Sequence, residues 1–471
     1  MNEKTKLIIK NLNYTVSANF IVLLIYAILY LIIPKFLDLE NYGLWQLYVL
    51  YSGYVGFFHF GWLDGIYLKL AGKEYDDVNK KELGTQFWYF LLFQSLIVLF
   101  LICLISIFIK NENFILILVL TAISLIIVNC KQFVLFILQS TNRIKEYATL
   151  SRTDRYLYIV ILFIYLLNFD SFLGVIVLDI ISKFIMMLWG LYVIQDILFS
   201  PREPFKKIFP VIISNIRVGS NLMFSNIASL LITGITRIFV EKVWDIKTFG
   251  QLSLILSISN MFLTFINAIG VVMFPMLRKM RRSQLPSVYL NLRNIFVPIS
   301  YLALIVYPAV KIILKFWLPQ YAESLIYMGI LFPIIIFEGR MSLLIMTYLK
   351  TIRKERIILI SNLIGLLMAI ILTSISTFIL KSLPVTVLSL LICIMSRCIF
   401  SEIQLTRILK INITIDIIVE VSLVSVFIIS NYYFSTFIAF FLYLIFLTIY
   451  IVYKKGNIVK ALQFSRRMMK Y

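Results

Sequence analysis

Fourteen stretches of about 20 mostly apolar residues, separated by short polar segments, leave this chain few ways to fold. They fall at roughly 11–34, 42–66, 84–109, 114–139, 155–169, 171–195, 217–240, 249–274, 295–316, 324–347, 357–380, 384–403, 414–433 and 435–453. A membrane helix needs about 20 such residues. Lipid offers the backbone no hydrogen-bond partners, so a spanning segment must be a helix or part of a closed barrel. Barrel strands would alternate in polarity over about ten residues, and these runs do not. The expected fold class is therefore an all-α polytopic membrane protein of about 14 transmembrane helices. Of the 471 residues, 61% are hydrophobic and 14% charged, against about 25% charged in soluble domains.

The polar segments carry an orientation signal. With the N-terminus inside, the inner segments hold 32 of the 44 Lys and Arg, the outer ones 5, and the spans 7. That asymmetry places both termini in the cytoplasm and the protein in the cytoplasmic (inner) membrane. It also accounts for a net charge of +21 that would otherwise suggest nucleic acid. Lys and Arg gathered at one membrane face also suit anionic lipid headgroups. The basic N-terminus and the first apolar run imitate a signal peptide. The run ends at Pro34-Lys35 with no small-residue cleavage site, so it reads as a retained span. No outer loop exceeds about eight residues, which leaves no room for a folded outer catalytic domain.

The halves resemble each other weakly. Asn19 precedes Gly43 by 24 residues, and Asn226 precedes Gly250 by the same distance, the two pairs lying 207 residues apart. A similar offset brings Arg143-Ile144-Lys145-Glu146 near Arg353-Lys354-Glu355. An even number of spans separates the copies, which suits two parallel halves of an alternating-access transporter. This divides the chain into an N-terminal lobe with linker (1–216), a C-terminal lobe (217–410), and spans 13 and 14 with a basic tail (411–471). The lobes are expected to be pseudo-symmetric six-helix bundles. Pro298, Pro308 and Pro333 supply candidate hinges.

Charges inside the spans are costly and usually face a bundle interior or a water-filled cavity. The basic set is Lys131, Lys183, Arg237, Lys311, Lys315, Arg340 and Arg397. Lys315 and Arg237 lie near outer helix ends, where they can snorkel. The acidic set is Asp64, Asp179, Glu338 and Glu402. Asp179 and Lys183 are four residues apart and can meet on one helix face. Glu338 and Arg340, two apart, do not. Glu338 therefore stands as the leading protonatable or cation-binding candidate, with pairing to a base on another helix as the competing reading. Asp64 lies near the inner end of span 2. Cys103, Cys130, Cys393 and Cys398 all sit in apolar runs and read as buried reduced thiols. A single histidine, His59, leaves no basis for a His-based metal site. Neither nucleophile, Walker-type, dinucleotide nor zinc spacing occurs, and no cofactor is expected.

Three segments carry a family resemblance: Asn41-Tyr42-Gly43-Leu44-Trp45-Gln46-Leu47, Gly61-Trp62-Leu63-Asp64-Gly65 and Leu68-Lys69-Leu70-Ala71-Gly72. With Tyr348-Leu349-Lys350-Thr351 they resemble the polysaccharide-unit flippases (Wzx-type) of the multidrug/oligosaccharidyl-lipid/polysaccharide exporter superfamily. The resemblance implies two six-helix lobes and translocation of undecaprenyl-pyrophosphate-linked oligosaccharide units to the outer leaflet. It further implies a coupling ion, proton or sodium, and other polysaccharide-assembly membrane proteins as partners. On this reading Lys131, Lys183, Arg340 and Arg397 would attract the anionic headgroup, and Glu338, Asp64 or Asp179 would serve ion coupling. The rivals are a drug antiporter of the same superfamily and a membrane polysaccharide polymerase. The first would call for a more acidic cavity, the second for a large outer loop or an acidic catalytic pair.

Overall fold

The computed structural model describes residue 25 and residues 28–468. Most of the first expected span, including Asn19, lies outside them. Among the described residues the chain is helical with no strand. The elements are α1 (28–36), α2 (Leu39–Val55), α3 (Trp62–Leu70), α4 (Lys80–Phe108), α5 (Glu112–Ser140), α6 (Ile144–Leu166), α7 (Phe172–Val193), α8 (Gln195–Leu198) and α9 (Phe205–Val243). Then come α10 (Ile246–Lys279), α11 (Leu285–Ala303), α12 (Tyr307–Trp317), α13 (Leu325–Leu331), α14 (Ile334–Arg340), α15 (Thr347–Thr351), α16 (Glu355–Ser374), α17 (Leu383–Leu409), α18 (Thr414–Tyr433) and α19 (Thr436–Met468).

Among the described residues ten helices are long and apolar enough to cross a membrane, or eleven if the bent pair Pro319–Leu331 and Ile334–Thr351 forms one span. The protein is an all-α polytopic membrane protein. Of the expected spans within the described residues, the second and the fifth fall short of that measure, and most of the first lies outside them. Helix starts coincide with polar side chains that satisfy free backbone N–H groups. Asp38 accepts from the Asn41 N–H at 2.7 Å, Asn111 from Phe114 at 3.1 Å and Asp245 from Thr248 at 2.6 Å.

The chain divides into two compact units between Ile227 and Ala228, within α9. The expected boundary, 216/217, lies in the same helix. In the N-terminal unit α5 is central, packing on α2, α3, α4, α6 and α7. Leu63, Phe90, Val134, Ile137 and Ile197 are fully or almost fully buried in its core. In the C-terminal unit α18 and α19 pack on one another, α19 also on α11 and α18 also on α13.

Proline positions mark the breaks. Span 9 is interrupted at 304–306, and α12 restarts with Pro308 in its first turn, where its missing N–H costs nothing. Span 10 bends by 45° at Phe332-Pro333. Pro298 stays inside α11. Two segments, Met341–Met346 and Ile375–Ile379, widen into π-helical turns, a form that is frequent at functional sites.

Candidate functional site

Span 2 is not the continuous helix its apolar run predicts. After α2 a short 3-10 turn, Gly56–His59, leads to Phe60 and Gly61 with φ of 51° and 83°, and α3 then restarts. A break at membrane depth frees backbone groups that must find partners. Here side chains supply them: Asn129 donates to the Val55 carbonyl at 3.0 Å, and Gln94 to the Phe58 carbonyl at 3.1 Å. Asn129 also donates to Gln94 at 2.8 Å, and the Gly61 N–H donates to His59 Nδ1 at 3.0 Å. His59 Nε2 lies 3.7 Å from Asp64, which is buried in the first turn of α3. A carboxylate there faces the positive end of the helix dipole.

The glycines of Gly61-Trp62-Leu63-Asp64-Gly65 have a packing reason. A Cβ on Gly65 would lie 2.0 Å from the Asn215 carbonyl oxygen, and one on Gly61 would lie 2.6 Å from the Ser220 nitrogen. On the opposite helix, a Cβ on Gly219 would lie 2.0 Å from the Gly61 oxygen. The backbones of α3 and α9 thus touch, which only glycine permits. Between them Gln86 accepts from Trp62 at 3.0 Å and from Asn215 at 2.8 Å.

A second polar group in the N-terminal unit gathers two of the expected basic residues. Lys131 on α5 meets Asp154 on α6 at 2.5 Å, and Lys183 on α7 meets Asp179 at 2.5 Å. Arg155 lies 3.1 Å from Asp179 and 3.6 Å from Asp154. The Tyr48 hydroxyl donates to Asp179 at 2.7 Å. Tyr48 follows directly on the Asn41–Leu47 motif. Two carboxylates are thus shared among three bases, all mostly buried. Asp154 escaped the sequence reading because the expected span 5 begins one position after it, at Arg155, which was not counted among the buried bases. The helix starts at Ile144, so Asp154 and Arg155 belong to it. Lys131, a buried cation whose helix carries its one acid, Glu112, far away in the first turn, was the signal that a partner lay at its depth.

The C-terminal unit holds a larger network. Arg293 on α11 meets Glu402 on α17 at 2.9 Å, Glu420 on α18 at 2.9 Å and Asp416 at 3.4 Å. Arg340 on α14 meets Glu402 at 3.0 Å and Glu420 at 2.9 Å. Tyr289 donates to Glu402 at 2.9 Å, and Lys454 on α19 reaches Asp416 at 2.5 Å. Three bases balance three carboxylates, and Arg293, Arg340, Glu402 and Glu420 are at most 1% exposed. Asp416 and Glu420 were missed by sequence, although their spacing of four on one face of span 13 marks them as a pair.

Apart from this network, Arg397 binds Glu338 and donates to Ser229 at 2.8 Å. A Cβ on Gly365 would come within 3.2 Å of the Arg397 side chain, so the glycine makes its room. Glu338 is therefore paired with a base on another helix, and its side chain keeps 23% exposure. The four expected headgroup bases do not share one cluster. Lys131 and Lys183 lie in the N-terminal unit, Arg340 and Arg397 at separate positions in the C-terminal unit, and each has a carboxylate partner. Cys130, Cys393 and Cys398 are buried as expected, whereas Cys103 is exposed on α4. No group of His, Cys, Asp and Glu among the described residues could hold a metal ion.

The fold is that of known transporters. An inward-facing multidrug resistance transporter of the MATE family, in the MOP superfamily, superposes with a TM-score of 0.63 at 13% identity, covering 85% of this chain and 99% of that one. The lipid II flippase MurJ in an inward closed conformation gives a TM-score of 0.53 at 16% identity, covering 92% and 99%. No curated protein matches the chain. The model of one family, described as polysaccharide biosynthesis protein, matches residues 8–281, more than half of the sequence. The chain accordingly belongs to the polysaccharide biosynthesis protein family, with a fold similar to that of these transporters.

Proposed function

We propose that the protein is a flippase, not an enzyme, and that it moves undecaprenyl-pyrophosphate-linked oligosaccharide units across the cytoplasmic membrane by alternating access. The observation that carries this reading is the match to a polysaccharide biosynthesis family over residues 8–281 on a chain with a transporter fold. Buried charge lies between packed helices within each unit, where a polar headgroup needs it. Lys131 and Lys183 in the N-terminal unit, and separately Arg397 in the C-terminal unit, are bases that a pyrophosphate can take from the carboxylates that hold them at rest. Arg155 joins the first two. A planar guanidinium donates two bonds at once to such a group.

Arg340 has a different role from the one its sequence position suggests. Sealed in a charge-balanced network, it holds helices together. Asp179 is likewise engaged, by Lys183, Arg155 and Tyr48, and positions those bases. Ion coupling falls to Asp64, beside the broken backbone of span 2, and to the partly exposed Glu338. Both termini are cytoplasmic in this reading.

Sidedness of the lipid-linked units in cells depleted of the protein tests the function. The expected result is accumulation on the cytoplasmic leaflet with loss of surface polysaccharide. Arrival at the outer leaflet at the normal rate would remove the flippase reading and favour the antiporter or polymerase.

A further inference from the structure

The N-terminal unit contains an apolar slot that none of the polar groups above uses. Its volume is about 330 Å³, and it opens between α4, α5 and α7 at the end closed by α8. Phe87, Trp88, Leu91, Met187, Leu191 and Leu198 line it. That volume falls at the lower end of the range for small-ligand sites, and a lining so nearly free of polar atoms suits a hydrocarbon chain. The Trp88 indole is fixed at the mouth by donating to the Leu198 carbonyl at 3.0 Å.

The mouth is basic and aromatic. The Arg202 guanidinium sits over the Trp88 ring, 5.2 Å from its centroid, and Lys206 and Lys207 follow in the next helix. Phe199, Phe205 and Phe209 expose about half or more of their surface nearby in sequence, and Phe205 packs on Tyr89 with centroids 5.1 Å apart. Aromatic rings with adjacent Lys and Arg mark the headgroup level of a membrane. The neighbouring carboxylates are already occupied. Lys207 holds Glu203 at 2.9 Å, and Lys80 holds Asp196 at 2.8 Å. Burial alone would raise the Asp196 carboxyl, but hydrogen bonds from Lys80 and Tyr75 outweigh it and keep the group below its ordinary value. Asp196 stays an engaged anion, and Arg202 is left to face solvent.

We propose that this slot is a binding site for an anionic phospholipid, one acyl chain lying against Leu91 and Leu191 and the phosphate resting on Arg202 at the linker. The charge of the mouth selects the headgroup, and the slot holds the tail. None of the residues lining the slot is among those assigned to the headgroup or the coupling ion, so the proposal does not depend on which molecule the protein moves.

Native mass spectrometry of the purified full chain, with phosphatidylglycerol or phosphatidylethanolamine added, tests it. Phosphatidylglycerol should be retained in preference to phosphatidylethanolamine. Arg202→Gln should weaken that retention about five-fold, the factor that about 1 kcal/mol per basic side chain gives. Leu191→Trp, which fills the slot, should abolish it. Arg202 is exposed, so its variant folds and keeps the test decisive. Equal retention of both lipids, wild-type retention in Arg202→Gln, or displacement of phosphatidylglycerol by undecaprenyl phosphate would overturn the proposal. So would dimerisation that Leu191→Trp abolishes, since the slot would then belong to a second copy.

Discussion

Gly65 stands where two helix backbones touch, so a single methyl group there has to move one of them. Overpacking of this kind costs about 1–3 kcal/mol. Gly53 offers a control within the same span. Nothing lies within 4 Å of the Cβ it would gain, and it occupies a helix interior, where Ala is favoured by about 0.5–1 kcal/mol. Gly65→Ala is expected to lower the thermal midpoint of the detergent-solubilised protein by several degrees, and Gly53→Ala to leave it unchanged or raise it. Equal midpoints for the two variants would contradict the close-contact account of the motif. The motif itself was visible in the sequence, but its cause was not. The contact joins residues some 150 positions apart, Gly65 to Asn215 and Gly61 to Ser220, and no local pattern encodes that. Asp179 and Lys183 were legible because they share a helix face. Glu338 and Arg397 were legible only singly, since their meeting depends on how α14 packs against α17.

At the scale of elements, apolar runs locate helices but overlook those whose first turns are polar. Span 5 was placed at 155–169, and the helix begins at Ile144. Its polar first half carries Asp154, the partner of Lys131. Span 2 failed in the opposite way: an unbroken apolar run concealed a break, because Phe60 and Gly61 are as hydrophobic in a left-handed turn as in a helix. The spans 13 and 14 looked like an appendage of unknown purpose. The network through Arg293, Glu402, Glu420, Asp416 and Lys454 fastens them to α11, α14 and α17. Removing one member of a buried ion pair costs about 3–5 kcal/mol because its partner is left uncompensated. Lys454→Met and Asp416→Asn should each lower the thermal midpoint, and the double variant should lose less than the sum of the two. A double-mutant cycle reads that coupling directly. Additive losses would show that α19 is not held by this pair.

For the whole molecule, the fold class was legible because the membrane permits so few backbone solutions. The basic residues point to an orientation, with both termini cytoplasmic as proposed above, through a rule about loops that needs no tertiary contact. The site was less legible. Burial cost identifies which charges matter, yet it does not say which are neutralised by one another. Four bases expected to line one cavity proved to be distributed over three groups, each with its own acids. That distribution makes the central claim specific: Arg397 and Lys183 exchange a carboxylate for a pyrophosphate, whereas Arg340 does not. The most direct test is movement of a lipid-linked oligosaccharide across proteoliposomes containing the purified protein, with and without an imposed pH gradient. The account predicts faster translocation than in protein-free vesicles, slower translocation with Arg397→Gln or Lys183→Gln, and loss of the response to the gradient with Asp64→Asn. Translocation no faster than in empty vesicles would contradict the flippase account, and an unaltered gradient response in Asp64→Asn would remove that carboxylate from ion coupling.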